Sequence, residues 1–142
     1  MSEQPLDLPR RTNVRFVRRT GIRRAAVVFG AAVSALALWA GAGGDATVRS
    51  GGSDHPVGAV AVLLTSVLAG LAGWALLAVL ERMTSRGLLV WTVVAVLVFL
   101  LSLVSAAAAG VGAASVGTLL GLHCVVFAVL VAGFRRASSA NC

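Results

Sequence analysis

His123 is the residue in this chain best placed by type and position to do chemistry. It sits inside an apolar run with no Asp, Glu, Lys or Arg between Gly87 and Phe134. An ionisable group held in hydrocarbon marks a functional site by default, as a proton relay, a ligand for a polar headgroup or substrate, or a metal ligand. The plainer reading is a neutral imidazole bonded to a neighbouring hydroxyl, holding helices together. Four hydroxyls lie at similar depth in the runs: Ser34, Thr65, Ser66 and Ser102. They form with His123 the candidate intramembrane polar site, and both readings stay open on sequence alone.

Glu81 is the second candidate. It closes an apolar run and is followed by Arg82 and Arg86. This spacing predicts an interfacial ion pair of Glu81 with Arg82 and Arg86 that anchors a helix end. A cation entrance would need a second carboxylate, which the runs do not supply. Asp45, Asp54 and His55 are a loose set of ligand types, but their spacing matches no metal site, and a solvated loop is the expectation. Cys124 and Cys142 lie ~27 Å apart if one helix carries both, too far for a bridge. No nucleophile elbow, phosphate loop, zinc-protease helix or paired-cysteine motif occurs. The expectation is therefore a non-enzyme with no metal and no cofactor.

These residues must be positioned by the runs themselves: about 22–42, 57–80, 88–109 and 115–134. The chain is 58% hydrophobic and 12% charged, against about 25% charged for a soluble domain. Its runs are apolar all round rather than on one stripe, and each can cross a hydrocarbon layer of ~30 Å. The predicted fold is all-α, a polytopic membrane protein with four transmembrane helices in an up-down-up-down bundle. Residues 1–21 read as a basic tail, disordered or a short helix over Asn13–Arg24, 22–136 as the transmembrane domain, and 137–142 as a second tail. The Arg-rich start followed by Ala40-Gly41-Ala42 has the look of a cleavable signal, but the first run is longer than a signal core. A retained helix is the expectation. The connector Gly43–Pro56 reads as a flexible Gly-rich loop, and Ala107–Ala114 as an uncharged link at the outer surface.

The formal charge of +7 resolves into orientation. All basic residues are Arg; eleven fall on one side of the runs and only Arg49 on the other. The positive-inside rule then puts both termini and the Glu81–Gly87 turn in the cytoplasm. The partner implied is a bilayer with anionic headgroups, not nucleic acid, since no aromatic interleaving accompanies the arginines. The absence of Lys fits a GC-rich bacterial genome.

Small residues recur at helix-packing spacing, most clearly at Gly117 and Gly121. Gly117, Gly121, Cys124, Ala128 and Ala132 share one face of the fourth run, expected to meet another helix of the chain. His123 lies on the opposite face, so the fourth run needs a second neighbour: another helix, a second copy, or a membrane partner protein. Trp39, Trp74 and Trp91 stand near run ends and read as an aromatic belt.

The segment Ala72-Gly-Trp-Ala-Leu-Leu-Ala-Val-Leu-Glu-Arg-Met-Thr-Ser-Arg86, with Trp91-Thr-Val-Val, Leu101-Ser-Leu and Leu122-His-Cys-Val-Val, resembles a family of small four-span actinobacterial membrane proteins known only as a domain of unknown function. The resemblance covers about residues 22–136. It implies four spans, draws attention to Glu81, Arg82, Trp91, Ser102 and His123, and implies no activity. The function expected is a structural, accessory or partner-binding membrane protein, the alternative a small carrier or channel subunit with a polar layer around His123.

Overall fold

The computed structural model describes residues 10–139, and side chains from Gly21 to Ser138. Four helices, α1 (Arg10–Gly41), α2 (Ala59–Met83), α3 (Gly87–Ala109) and α4 (Gly112–Ser139), are joined by short connections. A hairpin of β1 (Thr47–Ser50) and β2 (Ser53–Pro56) separates α1 from α2. Each helix contains a segment long and apolar enough to cross a membrane. Their outward faces are apolar too: Phe29 on α1 and Leu101 on α3 are each 72% exposed. No water-soluble surface is built this way, and the chain is a multi-pass membrane protein with an all-α fold.

The helices run up-down-up-down. Arg24 near the start of the membrane-crossing part of α1 (Gly21–Gly41), Glu81 near the end of α2 and Ser138 near the end of α4 meet at one end. Thr47, just after α1, meets Ser115 in the first turn of α4 at the other. Each helix packs on its two ring neighbours; α2 and α4 touch only slightly across the diagonal.

The α1 helix is longer than the sequence suggests. No break separates the basic segment from the span: one helix runs from Arg10 to Gly41. Between Pro9 and the apolar span the only weak helix former of this kind is Gly21, and one glycine costs a helix only about 1 kcal/mol. The helical part of the tail is thus α1 itself; residues 1–9 and 140–142, with Cys142, lie outside the described residues.

The core is built from both ends of the ring. Val28 and Ala31 of α1 pack with Leu77, Trp91, Leu130 and Phe134 near the Arg24–Glu81 end. Ala35, Val62 and Leu122 form a second cluster toward the hairpin. Helices in lipid gain little from hydrophobic burial, so close contact must hold them. Two glycines supply it. A Cβ on Gly70 would fall 2.8 Å from Val28, and one on Gly133 would collide with Val27. These contacts seat α2 and α4 against α1.

The connectors are tighter than expected. The α2–α3 turn is Thr84–Arg86, and a Cβ on Gly87 would lie 2.7 Å from the Glu81 backbone nitrogen. The α3–α4 link is only Gly110–Val111, with Gly112 at φ 79°. The flexible-loop expectation for Gly43–Pro56 is wrong. Gly51 and Gly52, at φ 60° and 84°, make the two-residue turn that suits a hairpin. Its register pairs Arg49 with Asp54. The hairpin then docks on the α3–α4 link: Val111 N–H donates to the Thr47 carbonyl at 3.0 Å, and Thr47 N–H donates to Ser115 Oγ at 3.1 Å.

Candidate functional site

The inward face of α4 carries Leu119, Leu122, His123, Val126, Phe127 and Leu130 at helical spacing. With α2 and α3 it encloses a cavity of about 600 Å³. Its floor is at Trp91, whose Nε1–H donates to the Gly73 carbonyl at 2.8 Å. The same indole meets Phe134 edge-on at 5.5 Å between centroids. Trp91 is therefore a buried tie between α2, α3 and α4, not an interfacial belt residue. Phe99 and Phe127 stack at 4.2 Å, pinning α3 to α4 along the wall. The α2 wall, Ala61, Thr65, Ala69, Ala72 and Leu76, is exposed, so the cavity is open on that side.

His123 lines this cavity about eleven residues, ~16 Å of rise, in from the Gly112 end of α4. Its Nδ1 lies 2.7 Å from the Leu119 carbonyl of its own helix. A carbonyl oxygen only accepts, so Nδ1 carries the hydrogen. In the neutral ring Nε2 is then left as an acceptor. The partner of His123 is therefore backbone, not a neighbouring hydroxyl.

Thr65, Ser66 and Ser102 share the cavity with His123. Thr65 and Ser102 bond backward into their own helices: Thr65 Oγ1 donates to the Ala61 carbonyl at 2.7 Å and Ser102 Oγ to the Phe99 carbonyl at 2.7 Å. Such local bonds satisfy a hydroxyl in lipid without a partner helix. Ser66 is buried. Ser34 is not among the lining residues; it sits on α1, donating to the Gly30 carbonyl at 2.8 Å. The polar layer thus contracts to Thr65, Ser66, Ser102 and His123, and His123 is the cavity's one titratable lining residue.

A family model described as a family of unknown function, DUF6069, matches residues 14–140. The chain belongs to this family. Among curated proteins and among solved structures nothing matches. Membership in DUF6069 brings no activity with it, so the chemistry must be read from the chain.

The remaining candidates move. Glu81 pairs with Arg24 of α1 rather than with Arg82 or Arg86. Arg24 Nη2 donates to both Glu81 oxygens at 2.7 Å, and Ser138 Oγ donates to Oε1 at 3.0 Å. Arg24 is 5% exposed. Successive residues on a helix point about 100° apart, so of the adjacent Arg23 and Arg24 only one can face inward. That spacing, with Glu81 as the one acid of the apolar runs, was the available signal. Arg82, in the last turn of α2, and Arg86, on the tight turn, are exposed.

The small-residue face of α4 points outward. Gly117, Cys124, Ala128 and Ala132 are exposed, and a Cβ on Gly117 would meet nothing within 4 Å. A Cβ added to Gly121 would lie 3.5 Å from Leu38 of α1. The His123 face takes the inside because its polar ring and flanking aromatics are what the bundle must enclose. Among the described residues no cluster of three His, Cys, Asp or Glu could hold a metal. Asp54 is instead held by Arg49, 2.8 Å away across the hairpin. The hydrogen bond from Arg49 is the main cause that keeps the Asp54 carboxyl below its ordinary range.

Proposed function

We propose that this DUF6069 protein is a non-enzymatic accessory protein of the cytoplasmic membrane, both termini in the cytoplasm, that holds a lipophilic molecule in the His123 cavity. The observation carrying this reading is the lining itself. The cavity is almost wholly apolar, and its single titratable group presents one acceptor, Nε2, with Nδ1 already committed. About 600 Å³ is the size of a small-ligand site, commonly in the range of about 300–1,000 Å³. The occupant that fits is a membrane-soluble molecule with a hydroxyl or N–H at mid-chain depth. The one-sided arginines support the orientation. The non-enzymatic reading is supported by the local bonding of the polar groups: His123 Nδ1 faces the Leu119 carbonyl of its own helix, and the Thr65 and Ser102 hydroxyls bond their own helices rather than His123.

A second reading, a small carrier or channel subunit, is favoured by one observation: Thr65, Ser66, Ser102 and His123 share an open cavity. Against it, a relay needs polar groups in series, and this cavity has one titratable side chain. Reconstitution in proteoliposomes with wild type and His123→Leu separates the two. The proposed function expects ion and small-solute fluxes at background for both proteins. A selective flux that His123→Leu abolishes without unfolding the bundle would establish the carrier reading instead.

A further inference from the structure

A second, shallower cavity of about 350 Å³ lies between α1 and α4 on the face away from the His123 cavity. Arg23 and Arg136 stand on its two sides; Ala26, Val27, Gly133 and Ala137 line the rest. The two arginines come from different helices and sit at matched depth. Arg23 is two residues inside the start of the first membrane-crossing segment, Gly21–Gly41, and Arg136 two residues inside the end of the last, Gly112–Ser138. That is headgroup level.

Among the described residues, arginines outnumber carboxylates at this end. Glu81 is the one carboxylate among the described residues at this end, and it is taken by Arg24 and Ser138. Asp45 and Asp54 lie beyond the opposite end, on the connector that carries the hairpin. Arg23 and Arg136 are both exposed, and the groove between them continues into small apolar residues facing the hydrocarbon. The missing Cβ of Gly133, which lets Val27 approach, is what makes the floor narrow and apolar. Two guanidinium forks above an apolar cleft complement a phosphate joined to hydrocarbon. A water-soluble anion would use the arginines and leave the cleft empty.

We propose that the α1–α4 groove is a specific site for one anionic phospholipid, its phosphate held by Arg23 and Arg136 and its glycerol and upper acyl chain laid on Ala26, Val27 and Gly133. This site is separate from the His123 cavity and stands or falls independently of it.

The test uses the full-length protein in neutral detergent micelles doped with phosphatidylglycerol or phosphatidylcholine, with retained lipid counted by native mass spectrometry. The expected preference for phosphatidylglycerol is about 10- to 30-fold, from two arginines at an anionic surface. Arg23→Gln/Arg136→Gln should bring it close to unity. Arg82→Gln/Arg86→Gln, which removes the same charge from the same end, should leave it intact. Equal loss in the two double variants would mean diffuse attraction and overturn the site. Ala26→Trp fills the groove at an exposed position and keeps both arginines; it should also abolish retention. Undiminished retention in Ala26→Trp would overturn the proposal even if the Arg23/Arg136 variant failed to fold. Displacement of the lipid by glycerol phosphate alone would overturn it as well, showing an anion site rather than a lipid site.

Discussion

Removing Glu81 should cost the bundle more than removing its partner, and the asymmetry follows from burial. The Arg24 side chain is 6% exposed and that of Glu81 33%. Arg24 Nε has no hydrogen-bond partner among the described atoms, and its Nη2 depends on the two Glu81 oxygens at 2.7 Å and on Ser138 at 3.3 Å. In Glu81→Met the guanidinium keeps its charge with no counter-ion. Breaking a buried pair from one side costs about 3–5 kcal/mol. The low end, about 3 kcal/mol, applies because water reaches Glu81. In Arg24→Met the surviving carboxylate is a third exposed and can hydrate, so about 1 kcal/mol is expected. The double variant Arg24→Met/Glu81→Met buries no unpaired charge and should lose about 1 kcal/mol or less. Unfolding in mixed micelles titrated with a denaturing detergent, followed by circular dichroism, gives the four corners of the cycle. Additive losses, or Arg24→Met at least as damaging as Glu81→Met, would refute the reasoning that Arg24 is the buried member whose charge must be met.

Three further outcomes are expected. Gly133→Leu should destabilise the bundle by about 1–3 kcal/mol through overpacking against Val27, whereas Gly117→Leu, on open surface, should stay within about 0.5 kcal/mol in the same unfolding assay. The amide-exchange protection of the hairpin should be full at neutral pH and weaken modestly in acid, since the Arg49–Asp54 pair is solvent-exposed. Because Arg49 depresses the Asp54 pKa, the pair's contribution is fully present above the ordinary carboxylate value of 3.8 and is lost as pH falls through the folded value. Asp54→Asn should remove that acid transition from exchange measured by mass spectrometry. Trp91→Phe should weaken the cavity floor by about 0.5–1.5 kcal/mol, the net worth of the indole N–H bond to the Gly73 carbonyl, which keeps its own helical donor.

The four spans were legible because each is a long uncharged run, and hydrocarbon leaves helix as the simplest way to satisfy such a backbone. What each span faces was not. In lipid there is little contrast between a face on another helix and a face on acyl chains, so periodicity loses its meaning. The small face of α4 looked like an interface by spacing, but spacing does not say which side the bundle is on. The polar ring of His123 and the aromatics Trp91, Phe99, Phe127 and Phe134, which join α3 to α4, fix the rotation instead. The hairpin was missed because Ser53-Asp54-His55-Pro56 reads as loop composition. Only Gly51-Gly52 signalled it, and its docking on the bundle, where Val48 bridges to Gly110, is a tertiary contact. Arg24 was hidden among seven arginines near the chain start. Its burial depends on where Glu81 and Ser138 arrive from distant segments. Contraction of the polar layer to three hydroxyls and one imidazole follows from the placement of Ser34 on α1, away from the cavity, where a bond to its own helix satisfies it.

The central claim is that the His123 cavity holds a lipophilic molecule through one acceptor. Native mass spectrometry of the protein extracted gently from its own membrane tests it most directly. Wild type is expected to carry a discrete small-molecule adduct, lost when Ala95→Trp fills the cavity and sharply reduced by His123→Leu in folded protein. No adduct on wild type, or one that Ala95→Trp leaves unchanged, would contradict it.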